Sequence, residues 1–436
     1  MSGKECFDIL DKIFRPKNRQ PIGKIKGYTI KYGNIMENGE IVDEVLVSYF
    51  KAPKSYTTEN MCEINSHGGN VIVRRILEIC LKNGAELAEP GEFTKRAFLN
   101  GRIDLLQAES VMDVIHAKSE REAKTGVKQL EGILSKQIAE IKQDILDVMV
   151  NIEVAIDYPE YDVDDVTNQQ ILDMLTKVES KLLKLEKSFD NGKLIKDGIK
   201  TAIIGKPNAG KSSLLNAILK EDRAIVTEYE GTTRDTIEEF VTMNGIPLKL
   251  IDTAGIRQAK DEVEKIGIAK SREIAKEADL IIAIFDSTKE LTSEDIEILE
   301  LIKNKKSIII LNKIDLESIL QENDTRLQEA SKHIIKISAL NYIGIEKLQE
   351  EITELFNLNE INLDNEVVIT NIRHKNLITK AIENVKKTKE TVENEMPLDI
   401  IAIFIKDILE DLGNITGEIV SEDIINEIFS KFCLGK

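Results

Sequence analysis

Residues 205–213 read Gly-Lys-Pro-Asn-Ala-Gly-Lys-Ser-Ser, which is the residue spacing of a phosphate-binding loop. An apolar strand is predicted to enter this loop over residues 201–204, and a helix is predicted to leave it over residues 212–219. Glycines at both ends of the loop let backbone N–H groups turn toward an anion at the helix N-terminus, where the helix dipole favours negative charge. The Lys211 ammonium would then reach the β- and γ-phosphates of a nucleotide.

Four later segments follow the loop in the order that guanine-nucleotide-binding proteins show: residues 231–235, 252–255, 312–315 and 338–340. The last three each come directly after an apolar segment predicted to be a strand: residues 248–251, 307–311 and 334–337. A phosphate-binding loop alone has a real false-positive rate. The complete series in one order makes a chance match negligible.

The chemistry of these segments predicts GTP rather than ATP as the nucleotide. The Asp315 carboxylate is suited to accept two hydrogen bonds from N1 and N2 of guanine, which adenine cannot donate. Backbone N–H groups after Ser338 would close on the guanine O6. Asp252 would hold Mg²⁺ through water, and the Gly255 amide would sense the γ-phosphate. Ser212 and Thr233 are the predicted hydroxyl ligands of Mg²⁺.

The predicted GTP-binding residues share these five segments and the stretch just before residue 231. They are Asn208, Ala209, Gly210, Lys211, Ser212, Ser213, Thr227, Glu228, Tyr229, Glu230, Gly231, Thr232, Thr233, Asp252, Thr253, Ala254, Gly255, Asn312, Lys313, Ile314, Asp315, Ser338, Ala339 and Leu340.

The residue that positions the attacking water is not fixed by the motifs. Ras-type enzymes carry a glutamine directly after the 252–255 segment, but this chain has Ile256, which cannot orient water. Polar candidates nearby are Gln258, Asp261, Glu262 and Glu264, and a solvated helix start is an equally good explanation of these acids. The candidate catalytic cations are Lys211, Arg234 and Arg257, the last two as possible arginine fingers.

Composition predicts a cytoplasmic, multidomain protein. The chain has 436 residues, of which 42% are hydrophobic, and a formal net charge of −18. The sequence contains no 18-residue apolar stretch and does not open with an apolar signal segment, so no membrane association is expected. The four cysteines form no Cys-x-x-Cys pair, which favours a reducing compartment. The acidic charge argues against a broad nucleic-acid footprint, so a partner protein would supply the basic surface if an RNA is bound.

Hydrophobic periodicity places helices on both sides of the nucleotide-binding segments. The N-terminal part is predicted to be α+β, with strands over 24–32, 42–50 and 60–66 and a helix over 71–81. Helical periodicity then runs from about 103 to 156 and over 171–189, and it resumes over 374–394, 398–412 and 422–432. The simplest interpretation is one helical domain divided by an inserted domain, although two separate bundles fit the same pattern.

The sequence resembles the MnmE (TrmE) family of tRNA-modification GTPases over nearly its whole length. The motifs that carry the resemblance are Ser-His-Gly-Gly at 66–69, Pro-Gly-Glu-Phe-Thr-Lys-Arg-Ala-Phe-Leu-Asn-Gly at 90–101, Gly-Thr-Thr-Arg-Asp at 231–235, Asp-Glu-Val-Glu-Lys-Ile-Gly at 261–267, and the ending Phe-Cys-Leu-Gly-Lys at 432–436. These are together far more specific than the phosphate-binding loop.

The resemblance implies a multidomain fold of class α/β plus α. Its parts would be a folate-binding-like N-terminal α+β domain at 1–101, a helical domain split into 102–197 and 358–436, and an inserted Ras-like P-loop GTPase domain at 198–357. The implied function is GTP-driven addition of a carboxymethylaminomethyl-type group to C5 of the wobble uridine of certain tRNAs. A homodimer of this chain would act with the flavoprotein MnmG as a heterotetramer, with a 5-formyltetrahydrofolate-like folate as the one-carbon source.

The resemblance also implies particular residue roles. Glu264 would act on the attacking water, and K⁺ would be held by Asn208 together with the loop of Thr227, Tyr229 and Thr232. The predicted folate-binding residues are Glu63, Arg102 and Lys436. Family members usually carry an additional N-terminal strand and an arginine that contacts folate. This sequence starts where that stretch would end, so either its start is truncated or this member lacks the segment.

Cys433 lies four residues from the end in Cys-Leu-Gly-Lys. This segment fits a prenylation signal poorly because of Gly435 and Lys436. A buried structural cysteine is one interpretation, and proximity to the folate and the modification site is the one that the resemblance implies.

Two other functions compete with tRNA modification. A ribosome-assembly GTPase of the Era type would need an RNA-binding module after the GTPase domain, and residues 358–436 show an acidic helical pattern with no K-homology Gly-x-x-Gly loop. A scaffolding GTPase, whose output is dimerisation itself, is the second alternative. Folate binding and dependence of a tRNA modification on this chain would discriminate among the three.

Overall fold

The computed structural model describes residues 1–18, 27–157, 168–221, 239–243, 245–251, 273–356, 358 and 368–435. Residues 1–112, 129–143 and 406–436 form one compact unit, and residues 113–128 and 144–405 form another. Among the helices that the structure describes, none combines the length and the apolar character that a membrane crossing needs.

The first half of the chain carries the following elements in order: α1 (Cys6–Ile13), β1 (Phe14–Pro16), β2 (Thr29–Glu37), β3 (Glu40–Phe50), β4 (Met61–Asn65), α2 (Asn70–Lys82), α3 (Glu92–Leu99), α4 (Leu105–Ile115), α5 (Glu120–Leu130), α6 (Ile133–Asp157) and α7 (Asn168–Asp197). The remaining elements are β5 (Ile199–Ile204), α8 (Lys211–Glu221), β6 (Glu239–Met243), β7 (Ile246–Leu250), β8 (Leu280–Asp286), α9 (Ser293–Ile302), β9 (Ser307–Asn312), α10 (Thr325–Ala330), β10 (His333–Ile337), α11 (Ile345–Leu355), α12 (Ile372–Glu393), α13 (Leu398–Thr416) and α14 (Glu422–Ser430).

The N-terminal sheet is antiparallel, in the order β1-β2-β3-β4. Alternate residues of its strands, such as Ile35, Val47 and Cys62, are buried in a core that also contains Leu10 of α1 and Ile79 of α2. The intervening residues point the other way because side chains alternate along a strand. Among the described residues, one face of this sheet is therefore packed against helices, and the other carries exposed side chains.

The turn between β2 and β3 explains one error in the predicted elements. The strand predicted over 24–32 instead continues to Glu37, where Asn38 and Gly39 both adopt left-handed φ angles of 51° and 88°. Asn-Gly is the strongest short hairpin signal in a sequence, because both central residues of the favoured turn need positive φ. The start of the predicted strand lies outside the described residues. Helix α1 and strand β8 were not predicted.

The second sheet has six strands in the order β10-β9-β8-β5-β7-β6. All neighbouring pairs are parallel except β6 and β7, which are antiparallel. Its central strands are apolar on both faces: every residue of β9 is buried, as are residues 280–285 of β8. Separate apolar clusters cover the two faces, as a parallel sheet covered by helices on both sides requires.

Helices α7 and α12 pack closely in the same unit as this sheet. A Cβ atom on Gly192 of α7 would lie 1.9 Å from the Ile369 carbonyl oxygen, so only glycine allows this approach. Helices therefore precede and follow the inserted sheet, as the predicted fold class requires. The predicted domain boundaries at 101, 197 and 357 stay predictions.

Candidate nucleotide-binding site

The carboxyl ends of β5, β8, β9 and β10 meet at one edge of the six-stranded sheet because these strands are parallel. Ligands of open parallel sheets bind outside this edge. The residues that close or follow the strands are Gly205, Asp286, Asn312 and Ser338. The fold therefore brings together segments that are far apart in the sequence.

The 205–213 loop leaves β5 and enters α8, as predicted. Asn208 has a left-handed φ of 62° and Gly210 a φ of 110°. A side chain at Gly210 would collide with Asn312, since a Cβ atom would lie 2.0 Å from Nδ2. The Lys211 Nζ donates to the carbonyl oxygens of Gly205 at 2.6 Å and Lys206 at 2.8 Å, so the lysine lies over its own loop.

Asn312 links two of the predicted segments. Its Nδ2 donates to the Ala209 carbonyl at 2.8 Å, and its Oδ1 accepts from the Ala339 N–H at 3.0 Å. The Asn312 side chain is almost completely buried, which makes both hydrogen bonds costly to lose. A single amide thereby fixes the phosphate-binding loop relative to the 338–340 segment.

Asp315 is oriented by the same segment. The Ser338 hydroxyl, itself fully buried, donates to Asp315 Oδ1 at 2.6 Å. The 338–340 segment is held by paired backbone hydrogen bonds between Ser338 and Ile343, of 3.0 and 3.1 Å. The Ile314 N–H donates to the Ile337 carbonyl at 3.3 Å. The carboxylate predicted to read guanine is therefore held by a rigid neighbour.

Three further predicted residues in this region lie at its surface: Ser212, Ser213 and Leu340. Ser212 and Ser213 are exposed in the first turn of α8, where helix N-terminal amides favour anions. Leu340 is also exposed, and its neighbour Ala339 uses its N–H on Asn312. The predicted role of these amides toward guanine O6 stays a prediction.

One residue that the motifs did not reveal joins the site. Asp286, the last residue of β8, lies 2.6 Å from the Lys313 Nζ through its Oδ2. An apolar run followed by Asp286-Ser287-Thr288 was present in the sequence and could have been interpreted as another strand ending at the same edge.

Several predicted site residues lie outside the described part of the chain. They are Thr227, Glu228, Tyr229, Glu230, Gly231, Thr232, Thr233, Arg234, Asp252, Thr253, Ala254, Gly255, Arg257, Gln258, Asp261, Glu262, Glu264 and Lys436.

The predicted folate-binding residues belong to the other compact unit. Glu63 lies exposed on β4, opposite Ser48 of β3. The Arg102 guanidinium stacks over the Tyr56 ring at 4.4 Å, and the Tyr56 hydroxyl is 3.0 Å from Thr94 Oγ1 on α3. Arg102 is therefore held by an aromatic ring that the motifs did not single out.

Cys433 lies beside the start of helix α3, where its carbonyl accepts from the Gly91 N–H at 3.3 Å. This close approach needs glycine, because Gly91 has a φ of 70° and a Cβ atom there would be 2.8 Å from the Phe429 carbonyl oxygen. The 90–101 motif and the chain ending are thus in direct contact.

The fold and its phosphate-binding loop define a protein of the P-loop GTPase class. Comparison with known families narrows the class. A family model described as "GTP-binding protein TrmE N-terminus" matches residues 1–102, and one described as "MnmE helical domain" matches residues 105–433.

Full-length relatives agree with the family models. A tRNA modification GTPase MnmE from Acetivibrio thermocellus is 48% identical over 100% of this chain and 95% of the relative. One from Finegoldia magna is also 48% identical, again over 100% of this chain and 95% of the relative. Among solved structures, the G domain of the T. maritima FeoB iron transporter is 26% identical, covering 36% of this chain and 98% of that chain, with a TM-score of 0.26.

The chain belongs to the MnmE family of tRNA modification GTPases. It is accordingly a GTP-binding hydrolase that acts in tRNA modification.

Proposed function

We propose that this chain hydrolyses GTP at the carboxyl edge of the β5–β10 sheet and couples that hydrolysis to modification of tRNA at C5 of the wobble uridine. The group added is of the carboxymethylaminomethyl type, and the flavoprotein MnmG is the partner. The observation that carries the GTP site is the double hydrogen bond of Asn312, which joins the phosphate-binding loop to the 338–340 segment. Family membership supports the tRNA part of the proposal.

In the proposed site, the phosphates lie against the 205–213 loop and the N-terminus of α8. The Lys211 ammonium already lies over the loop, because it donates hydrogen bonds to two of the loop's carbonyl oxygens. Ser212 and Thr233 would supply hydroxyl ligands to Mg²⁺, and Asp252 would act through water. A divalent cation and a lysine together stabilise the charge that develops on the transferred phosphoryl group.

The proposed hydrolytic residues are Glu264, which orients the attacking water, and Arg257. K⁺ would take the place of an arginine finger, held by the Asn208 side chain and by the loop of Thr227, Tyr229 and Thr232. Asn208 adopts a left-handed φ of 62°, a conformation that asparagine tolerates better than most residues with a side chain, and this places it at the turn of the phosphate-binding loop.

The proposed folate subsite lies in the N-terminal unit, with Glu63, Arg102 and Lys436 as its charged residues. A carboxylate and cations suit a folate, which has ring donors at one end and a glutamate carboxylate at the other. The stacked position of Arg102 on Tyr56 supports this assignment because it fixes a cation in place. Contact of Cys433 with the 90–101 motif makes this cysteine a candidate for the modification site.

We propose a homodimer formed through the open face of the N-terminal sheet. Three large side chains are exposed on this face: Ile30, Tyr32 and Leu46. Tyr32 and Leu46 are direct cross-strand partners, so the apolar surface is contiguous. Contiguous exposed apolar surface commonly marks an interaction site.

The base assignment is tested with Asp315→Asn. A site that hydrogen-bonds its substrate strongly rejects an analogue that cannot make the bonds. We expect GTP affinity to fall by at least about a hundredfold and XTP, whose base offers the complementary groups, to become the preferred nucleotide. Titration with both nucleotides measures the effect, with exposed Asp399→Asn as the matched control. Unchanged GTP affinity would show that the guanine site lies elsewhere.

The tRNA assignment is tested in cells. Mass spectrometry of wobble nucleosides from cells that lack this chain should show loss of the C5 group, and its return with the intact chain. Asp315→Asn should not restore the modification. Unchanged nucleosides with an intact GTPase would instead favour a ribosome-assembly or scaffolding role.

A further inference from the structure

Asp286 ends strand β8 at the same sheet edge as the proposed nucleotide site. Its Oδ2 accepts a hydrogen bond from the Lys313 Nζ at 2.6 Å. The Asp286 side chain is only 11% exposed and that of Lys313 is 32% exposed, so this ion pair is partly shielded from water. Shielding strengthens the attraction relative to an ordinary surface pair.

The carboxylate is itself fixed by the turn that follows it. Thr288 donates to Asp286 Oδ1 twice, from its N–H at 3.1 Å and from its hydroxyl at 2.7 Å. The second oxygen, Oδ2, is thereby presented to Lys313. Lys289 lies 3.9 Å from Oδ2, but its side chain is 71% exposed, so it contributes little.

Asp286 is charged at neutral pH. Partial burial by itself would raise the pKa of this carboxyl group, but hydrogen bonds from Lys313 and Thr288 outweigh burial and hold the pKa below its ordinary value. The Asp286 carboxylate therefore stays ionised at physiological pH.

Lys313 stands between two residues on which the proposed guanine site depends. Asn312 bridges the loops, and Asp315 is the carboxylate proposed to read the base. Lys313 itself has a left-handed φ of 69°, so the backbone turns away from the direction of strand β9, which ends at Asn312. A lysine can lay its methylene stem along a flat apolar surface while its charged end is held elsewhere.

We propose that Asp286 is a positioning residue for nucleotide binding: it anchors the Lys313 ammonium so that the lysine stem forms a preorganised wall of the guanine subsite. Without Asp286, the Lys313 side chain would be flexible in the free protein. It would then lose rotamer freedom when the nucleotide binds, and this entropy loss would lower the affinity. This inference rests on the proposed GTP site and adds to it a residue outside the five motif segments.

The central experiment compares the whole nucleotide with its phosphates alone. In the full-length protein, Asp286→Asn should weaken GDP binding about tenfold, as expected for loss of a charge-assisted hydrogen bond. Affinity for inorganic tripolyphosphate should stay within about twofold of the parent, because that probe contacts only the phosphate-binding loop. Lys289→Ala should leave both affinities unchanged.

A double-mutant cycle separates positioning from general destabilisation. If Asp286 acts only through Lys313, Asp286→Asn combined with Lys313→Met should bind GDP no more weakly than Lys313→Met alone. Thr288→Val, which loosens the carboxylate without removing its charge, should weaken GDP binding by a smaller factor. This variant also tests the inference if Asp286→Asn folds poorly.

Two outcomes would overturn the inference. One is GDP affinity that is unchanged in both Asp286→Asn and Thr288→Val, and the other is equal loss of GDP and tripolyphosphate, which would indicate a structural role. The variant Asp315→Asn distinguishes these two outcomes from an error in the placement of the GTP site. If that variant shifts preference from GDP to XDP while Asp286→Asn has no effect, the guanine site stands and only the anchoring role of Asp286 is wrong.

Discussion

The two sheets of this protein bury their apolar side chains in different ways. The parallel sheet of β5–β10 is covered on both faces by its own unit, so its central strands consist almost entirely of buried residues. The antiparallel sheet of β1–β4 buries one face against α1 and α2 and leaves Ile30, Tyr32 and Leu46 exposed on the other. The six-stranded sheet is covered on both faces, whereas the described part of the four-stranded sheet leaves apolar side chains exposed on one face.

This difference fits the function proposed for each sheet, which is nucleotide binding for the six-stranded sheet and self-association for the four-stranded sheet. A site that binds nucleotide needs fixed loops, and buried parallel strands supply rigid anchors at one edge. A sheet face that mediates association must instead stay accessible in the single chain. The comparison predicts that substitutions on the two sheets will affect different measurements.

The largest effect on folding should come from the parallel sheet. Ile310→Ala in β9 removes a fully buried side chain and leaves a cavity, which should cost about 2–5 kcal/mol of unfolding free energy. Ile30→Ala on the open face of the N-terminal sheet should change stability by no more than about 0.5 kcal/mol. Native-state hydrogen exchange, resolved by mass spectrometry, measures each sheet separately. Similar losses of unfolding free energy for both substitutions would contradict the proposed difference between the two sheets.

The next largest effect is expected on self-association of the chain rather than on its folding stability. Tyr32→Lys combined with Leu46→Lys should weaken self-association by at least about a hundredfold, since each apolar side chain is worth about 1.5–3 kcal/mol when buried. Sedimentation velocity over a concentration series measures this change. Leu77→Lys, at an apolar position on α2 that is 46% exposed like Leu46, is the matched control and should leave self-association intact. A dimer that survives the double substitution would place the interface elsewhere.

A smaller, pH-dependent effect is expected where helix α5 meets the edge of the parallel sheet. Glu122 is buried beside Lys118, whose N–H donates to its Oε2 at 2.6 Å and whose ammonium lies 4.0 Å over the Phe240 ring of β6. Burial raises the pKa of Glu122 to about 7 despite the Lys118 hydrogen bond. Between its ordinary pKa and about pH 7, the folded state retains a proton that the unfolded state has released.

Stability from this group is therefore present at low pH and is lost as pH rises toward and through 7. Glu122→Gln, a neutral isostere, should melt at a higher temperature than the parent at pH 8, with the difference shrinking at pH 5. Thermal melts at both values measure this trend, and the exposed Glu120→Gln is the control. A difference that grows toward low pH would contradict the burial argument.

Residue types and spacing predicted which segments follow apolar strands and so lie at the carboxyl edge of the six-stranded sheet. The segments at 205–213, 312–315 and 338–340 all lie at the sheet edge where the apolar runs before them place them. Such motifs are local, so each is visible in a few consecutive residues. The 252–255 and 231–235 segments, together with Glu264, lie outside the described residues and their roles stay predictions.

The sequence alone determined where the candidate nucleotide-binding segments lie along the chain and which of them follow an apolar run. Only the tertiary structure decided which of them touch. Asn312 contacts Ala209 across 103 positions, and Asp286 reaches Lys313 because β8 lies directly beside β9. Strand order within a sheet does not follow chain order here, since β8 lies between β5 and β9 while β7 lies on the far side of β5. Contacts of this kind depend on how buried strands arrange themselves side by side, which no local pattern of residues specifies.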